Sequence, residues 1–115
     1  MPELFEVLRL LSDPTRFKII HMLLEENICV SGLARALNIS KAAVSQHLKV
    51  LRNAGIVNGV KHGYFMHYHI ERSVLKALSY KLDQLSEVTK MKDGTCTVCE
   101  KELCRRCYAY AQLNT

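Results

Sequence analysis

The stretch Ser40-Lys41-Ala42-Ala43-Val44-Ser45-Gln46-His47-Leu48-Lys49-Val50-Leu51-Arg52-Asn53-Ala54-Gly55 decides the reading of this chain. Ser40 is a residue type whose hydroxyl satisfies free amides at a helix start, and Gly55 one that takes the left-handed backbone beyond a helix end. Between them Val44, Leu48 and Leu51 fall at i, i+4 and i+7, which makes one face of a helix Lys41–Asn53 apolar. The opposite face shows Lys41, Ala42, Ser45, Gln46, Lys49 and Arg52. These are small, hydrogen-bonding or cationic side chains, the kinds that a helix entering the major groove of DNA needs. Gln46 can hold an adenine with two hydrogen bonds, Ser45 is adaptable, and Ala42 can touch a thymine methyl. Lys49 and Arg52, further along, suit phosphates.

Working outward, Val30–Leu37 reads as a shorter helix capped by Ser31, with Leu33 and Leu37 four apart, and Asn38-Ile39 as a tight turn. A helix pair of these proportions is a helix-turn-helix. After Gly55, Ile56–Lys61 and Tyr64–Ile70 read as the strands of a hairpin with its tip at His62-Gly63. Helix pair and hairpin together predict a winged helix-turn-helix, mainly α with a small β wing. The wing offers Lys61, His62 and Tyr64 to a backbone phosphate or the minor groove. His67 and His69 alternate with Met66, Tyr68 and Ile70, which gives the strand one polar face. Two histidines at i, i+2 make half a metal site, but no third ligand stands nearby, so an exposed strand is the preferred reading. His47 and His21 read as packing and hydrogen-bonding residues.

Upstream, Pro2 at a first helical position, followed by Leu4, Phe5, Val7, Leu8 and Leu11, predicts a short amphipathic helix. Ser12-Asp13-Pro14 stops it and caps a second helix, roughly Thr15 to Glu26, whose buried stripe is expected to be Phe17, Ile20, Leu23 and Leu24. Downstream, no Gly or Pro interrupts Arg72 to about Met91, where Leu75, Leu78, Leu82 and Leu85 repeat at 3-4-3 spacing and Val88 continues the seam. That seam is too short for a free coiled coil. With Leu4 and Leu8 of the first helix it predicts a homodimer interface.

The charge distribution agrees with a nucleic-acid partner. The 115 residues carry a formal charge of +5, yet all eleven Asp and Glu lie outside Asn27–Ile70, a stretch that holds Arg35, Lys41, Lys49, Arg52 and Lys61. An acid-free block of that size suits a surface that approaches double-stranded DNA. With 49% apolar and 23% charged residues the chain is globular, and its length suits one compact domain. No apolar run approaches the ~20 residues needed to cross a bilayer. Met1-Pro2-Glu3 opens acidic, unlike a signal peptide, so a cytoplasmic protein without membrane contact is expected. No Gly-rich phosphate loop, nucleophile elbow or carboxylate pair speaks for an enzyme.

Asp93-Gly94 breaks the last helix, so residues 1–92 are expected to form the DNA-binding and dimerisation domain and 93–115 a cysteine-rich tail. In it Cys96, Cys99, Cys104 and Cys107 make C-x2-C-x4-C-x2-C; Cys29 stands alone. Two C-x2-C pairs can hold a tetrahedral Zn(II) or Cd(II), and three thiolates suit a pyramidal As(III) or Sb(III). Cys99-x4-Cys104-x2-Cys107 also matches part of an iron–sulfur spacing. Lys101, Arg105 and Arg106 favour thiolates, which leaves redox reactivity open. A purely structural metal in the tail of a constitutive DNA-binding protein is a further reading.

Three runs together resemble the ArsR/SmtB family: Leu11-Ser12-Asp13-Pro14-Thr15-Arg16-Phe17-Lys18-Ile19-Ile20, Leu33-Ala34-Arg35-Ala36-Leu37, and Ser40 through Val57. The similarity covers about residues 4 to 90. It implies a dimeric winged helix-turn-helix repressor that releases operator DNA when a metal, metalloid or oxidant binds. The family's arsenic-type Cys-Val-Cys-Asp stands here as Cys29-Val30-Ser31-Gly32, with only the first thiol kept. Its zinc-type Asp/His site on the last helix would leave Asp83 and Glu87 as the candidates, without a His. The Cys96–Cys107 cluster resembles the relatives that carry cysteines just past that helix. Where relatives place a basic residue after the wing-tip glycine, this chain has Tyr64.

Overall fold

The structure, a computed structural model, describes residues 2–89. The expected boundary at 92/93 and the tail cysteines Cys96, Cys99, Cys104 and Cys107 lie outside the described residues. Two units divide the chain, Met1–Asp83 and Gln84–Thr115; the architecture below is that of the first, and of the second only residues 84–89 are described. The elements run α1 (Leu4–Leu11), α2 (Pro14–Glu25), α3 (Val30–Leu37), α4 (Lys41–Asn53), β1 (Val57–His62), β2 (Phe65–Ile70) and α5 (Arg72–Ser86). This is the winged helix-turn-helix that the sequence predicts.

Local chemistry fixes most of the boundaries. Ser40 Oγ accepts the Ala43 amide N–H at 3.0 Å and starts α4. At the other end Gly55 adopts φ +79°, and the amides of Gly55 and Ile56 turn back to the carbonyls of Arg52 and Leu51, both at 3.0 Å. A side chain in that backbone region is strained, which is why glycine stands there. Asn38, at φ 55°, ends α3 in the same manner. Asp13 Oδ2 accepts the Arg16 amide N–H at 2.9 Å with Pro14 at the first helical position, so α2 starts under two signals at once.

The core draws on every element except β2. Leu10, Ile19, Leu33, Val44, Leu48, Leu51, Ile56 and Val57 are its fully buried side chains, and Val74 joins it from α5. Each such aliphatic side chain stabilises the fold by roughly 1.5–3 kcal/mol relative to exposure. The strands pair antiparallel from Val57↔Ile70 to His62↔Phe65, and Tyr68 and Ile70 lean on the core.

Several expectations are corrected. Pro2 precedes α1 instead of opening it, because Glu3 is the capping residue and its carboxylate accepts the Phe5 amide N–H. Ser31 is already helical; Cys29 caps α3, its Sγ accepting the Gly32 amide N–H at 3.4 Å. Phe17 is 55% exposed, and Ile19 takes its place in the buried stripe of α2. At about 100° per residue Ile19, Leu23 and Ile20 share one arc, and Phe17 falls about 60° beyond its edge. The hairpin tip is Gly63-Tyr64, one residue later than expected, because Gly63 at φ +62° supplies the positive dihedral that a two-residue turn needs at its first position. Helix α5 ends at Ser86, short of Met91. Its last amides, of Glu87 and Val88, bond to the carbonyls of Gln84 and Leu85 in the tighter three-residue pattern, where β-branched Val88 and Thr89 weaken further helix.

Candidate nucleic-acid interface

Helix α4 divides its side chains cleanly. Val44, Leu48 and Leu51 are at most 2% exposed, which fixes the rotation of the helix about its own axis. That rotation puts Lys41, Ala42, Ser45, Gln46, Lys49 and Arg52 on the exposed face, all of them exposed. Ser40 is exposed too, but its oxygen is engaged as the helix cap, leaving its hydroxyl proton to donate outward. Beyond the N-terminal turns, Ser45, Lys49, Arg52 and Asn53 line a shallow groove of about 340 Å³ whose other wall is Tyr68 of β2. Two cations along a groove between α4 and the wing suit a polyanionic backbone, where Lys and Arg serve phosphate oxygens.

The wing is split by its pleat into two faces. Val57, Gly59, Lys61, Met66, Tyr68 and Ile70 share the face whose root packs on the core. Asn58, Val60, His62, Phe65, His67 and His69 share the other. The three wing residues expected to reach DNA therefore part company. Lys61 and His62 point to opposite faces, and Tyr64 stands fully exposed at the turn itself.

Two interactions that the sequence did not disclose set the scaffold. Arg16 Nε donates to the Leu10 carbonyl at 2.9 Å, so the Ser12–Arg16 run joins α1 to α2: Asp13 caps forward and Arg16 caps backward. The Arg16 amide bond, with smaller contributions from the Arg16 charge and from His47 on α4, holds the Asp13 carboxyl below its ordinary value of 3.8. Arg72 Nη2 donates to the Leu24 carbonyl at 3.2 Å and ties the start of α5 to the end of α2. Both arginines act on orphan carbonyls at helix ends, a role that spacing along the chain does not reveal.

A second surface lies between α1 and α5. Pro2, Leu4, Val7, Val74, Ala77, Leu78 and Lys81 line an apolar groove of about 250 Å³. Of the residues expected at a dimer interface, Leu4, Leu8, Leu75 and Leu78 are half-buried here, while Leu82 and Leu85 are 47% and 67% exposed. Cys29, the remaining candidate thiol among the described residues, is exposed at the start of α3. No group of three or more metal-ligating side chains comes together among the described residues. No helix among them is long and apolar enough to cross a membrane.

Known proteins share this arrangement. The family model described as "Bacterial regulatory protein, arsR family" matches residues 13–59, from the α2 cap into β1. Transcriptional repressor SdpR of Bacillus subtilis is 34% identical over 70 residues, 61% of this chain and 78% of its own length. HTH-type transcriptional repressor SmtB of Mycobacterium tuberculosis is 39% identical over 80 residues, 65% of this chain, though the match spans only 59% of that protein. The cadmium resistance regulatory protein CadC homolog of Staphylococcus aureus is 38% identical over 77 residues, 66% of this chain and 64% of its own. Among solved structures, an ArsR-like transcriptional regulator from Rhodococcus sp. RHA1 superposes with a TM-score of 0.66 at 28% identity, over 96% of this chain and 91% of that one. With the α3–α4 helix pair and the Asp13–Arg16 capping run inside the matched region, and relatives such as SdpR matched over most of their own length, this chain belongs to the arsR family of bacterial regulatory proteins.

Proposed function

We propose that the protein is a homodimeric transcriptional repressor that releases its operator when a thiophilic ion is captured by Cys96, Cys99, Cys104 and Cys107. In this reading α4 of each subunit enters successive major grooves of double-stranded DNA, about 34 Å apart. Lys41, Ala42, Ser45 and Gln46 read base edges, with the Ser40 hydroxyl at their start. Lys49 and Arg52 neutralise phosphates, and Lys61, His62 and Tyr64 of the wing reach the flanking backbone or minor groove. The observation that carries this reading is the exposure of all six outward α4 residues within a block, Asn27–Ile70, that holds five Lys and Arg and no acid.

Leu4, Leu8, Leu75, Leu78, Leu82 and Leu85 form the subunit interface, and the apolar α1–α5 groove is the part of it that each chain contributes preformed. The effector is As(III) or Sb(III), Cd(II), or Zn(II), bound by thiolates of the tail spanning 93–115. Support for a metal effector comes from a relative named as a cadmium resistance regulatory protein, and from the pairing of soft thiolates with such ions. Capture shifts the C-terminal helices and with them the half-site spacing, lowering DNA affinity by a coupling of about 1–3 kcal/mol.

The test is operator binding by the wild type and by the variant with all four tail cysteines changed to Ser, with and without As(III), Cd(II), Zn(II) and peroxide. The variant should bind DNA as tightly as the wild type and ignore every ion. If it still lets go of DNA with As(III) or Cd(II), the sensor assignment fails. Release of the wild type by peroxide alone replaces the metal effector with a redox one.

A further inference from the structure

The outer face of the wing carries three histidines and no carboxylate. Register places His62 opposite Phe65, His67 opposite Val60 and His69 opposite Asn58, all on one side of the hairpin. His62 and His67 are diagonal neighbours across the strands, and their imidazole rings lie with centroids 4.6 Å apart and planes tilted by 33°.

We propose that His62 and His67 form a two-imidazole site for a borderline divalent ion, Zn(II) or Ni(II), on the wing. Neutral imidazole is the nitrogen donor that suits these ions. Two nitrogens bound to one Zn(II) at 2.0–2.1 Å in tetrahedral geometry stand about 3.3 Å apart. The ring nitrogens sit on the rims of two rings whose centres are 4.6 Å apart, so that separation lies within reach of rotations about the Cβ–Cγ bonds. Such rotations are soft for histidine, and His62 is exposed. A two-residue turn holds the strand ends in register, so the two Cβ atoms are spaced by backbone pairing before any ion arrives. His69 shares the face but is further from the tip, and the acid-free block offers no carboxylate to complete the shell. The ion therefore keeps open positions for water or an external donor. It also brings its positive charge uncompensated to a wing that already carries Lys61.

The site needs neither DNA nor the tail cysteines, so its test stands apart from the repressor reading. The probe is Zn(II) added in excess to the full-length protein without DNA, with the imidazole signals of His62, His67 and His69 followed by NMR. Ring-specific signals report this site even when thiols elsewhere take metal. His62 and His67 should shift together along one saturable curve. H62Q should abolish the His67 response, while H69Q leaves it in place. An unchanged amide spectrum outside the wing checks that both variants fold. The proposal is overturned if excess Zn(II) leaves the His67 ring unmoved, or if its response survives H62Q, or is lost in H69Q.

Discussion

Helices α4 and α5 are both amphipathic and both leucine-rich, yet they finish their packing in different places. In α4 every apolar residue of the i, i+4, i+7 set is sealed inside its own chain, and the polar remainder is displayed. In α5 only Val74 is buried, Leu75 and Leu78 are half-covered, and Leu82, Leu85 and, just past the helix, Val88 are 47%, 67% and 75% exposed. The same residue type thus serves two ends. A leucine on α4 holds the fold; a leucine on the distal part of α5 keeps apolar surface uncovered by the described residues.

That contrast can be broken most forcefully in the core. Leu48→Ala should cost about 2–5 kcal/mol of unfolding free energy in a denaturant titration, because it empties a site that is 2% exposed. Leu85→Ala, at 67% exposure, should stay within about 0.5 kcal/mol when the protein is dilute enough to be monomeric. Equal losses would erase the distinction between the two helices. Next in size, Leu82→Glu combined with Leu85→Glu should convert a dimer to monomer in sedimentation while leaving the far-UV helical signal of the monomer intact. A dimer that survives both charges would place the interface elsewhere. Lys49→Ala, on the outward face of α4, should leave stability nearly untouched and lower the salt slope of operator binding by about one. An unchanged slope would remove Lys49 from the phosphate contacts.

The smallest effect concerns the cap beside α4. Asp13 has a folded-state carboxyl value below its ordinary 3.8, chiefly through the Arg16 amide. Its contribution is therefore fully present above that ordinary value and is lost as pH falls through the depressed one. Asp13→Asn keeps an oxygen for the cap but removes the titration. Acid unfolding of the variant should begin with a shallower slope in that window, read from denaturation midpoints at stepped pH. An identical slope would mean that the charge of Asp13 adds nothing.

Where structure is written in local chemistry, the sequence was legible. Ser40, Gly55 and the i, i+4, i+7 apolar set placed α4 at Lys41–Asn53 and named its buried side chains, because a cap, a left-handed turn and a helical period each act within a few residues. Phe17 was misplaced because the inward arc of α2 is chosen by the elements that pack on it, and composition says nothing of those. Cys29 went unrecognised as a cap because sulfur is a weaker acceptor than the hydroxyl of neighbouring Ser31, while the backbone decides which of the two sits outside the helix. The histidine pair was hidden by a single residue of register. A tip at His62-Gly63 would leave His62 in the turn, whereas a tip at Gly63-Tyr64 puts it on the strand and on the face of His67. The reading of the tail rests on cysteine spacing alone.

The root of α5 has a mechanical consequence. The Glu71 amide bonds to the Ile56 carbonyl at 2.8 Å, Arg72 is fastened to the end of α2, and Val74 is embedded in the core. All three anchors fall within the first turn, and Ile56 itself closes the turn that ends α4. From Arg72 to Asp83 the helix runs roughly 18 Å at 1.5 Å per residue, with Leu78 leaning on the core midway. It is held most firmly at its root, and that root meets the backbone at Ile56, three residues past the end of α4. One short stretch of backbone thus serves both helices, closing the end of α4 and seating the start of α5.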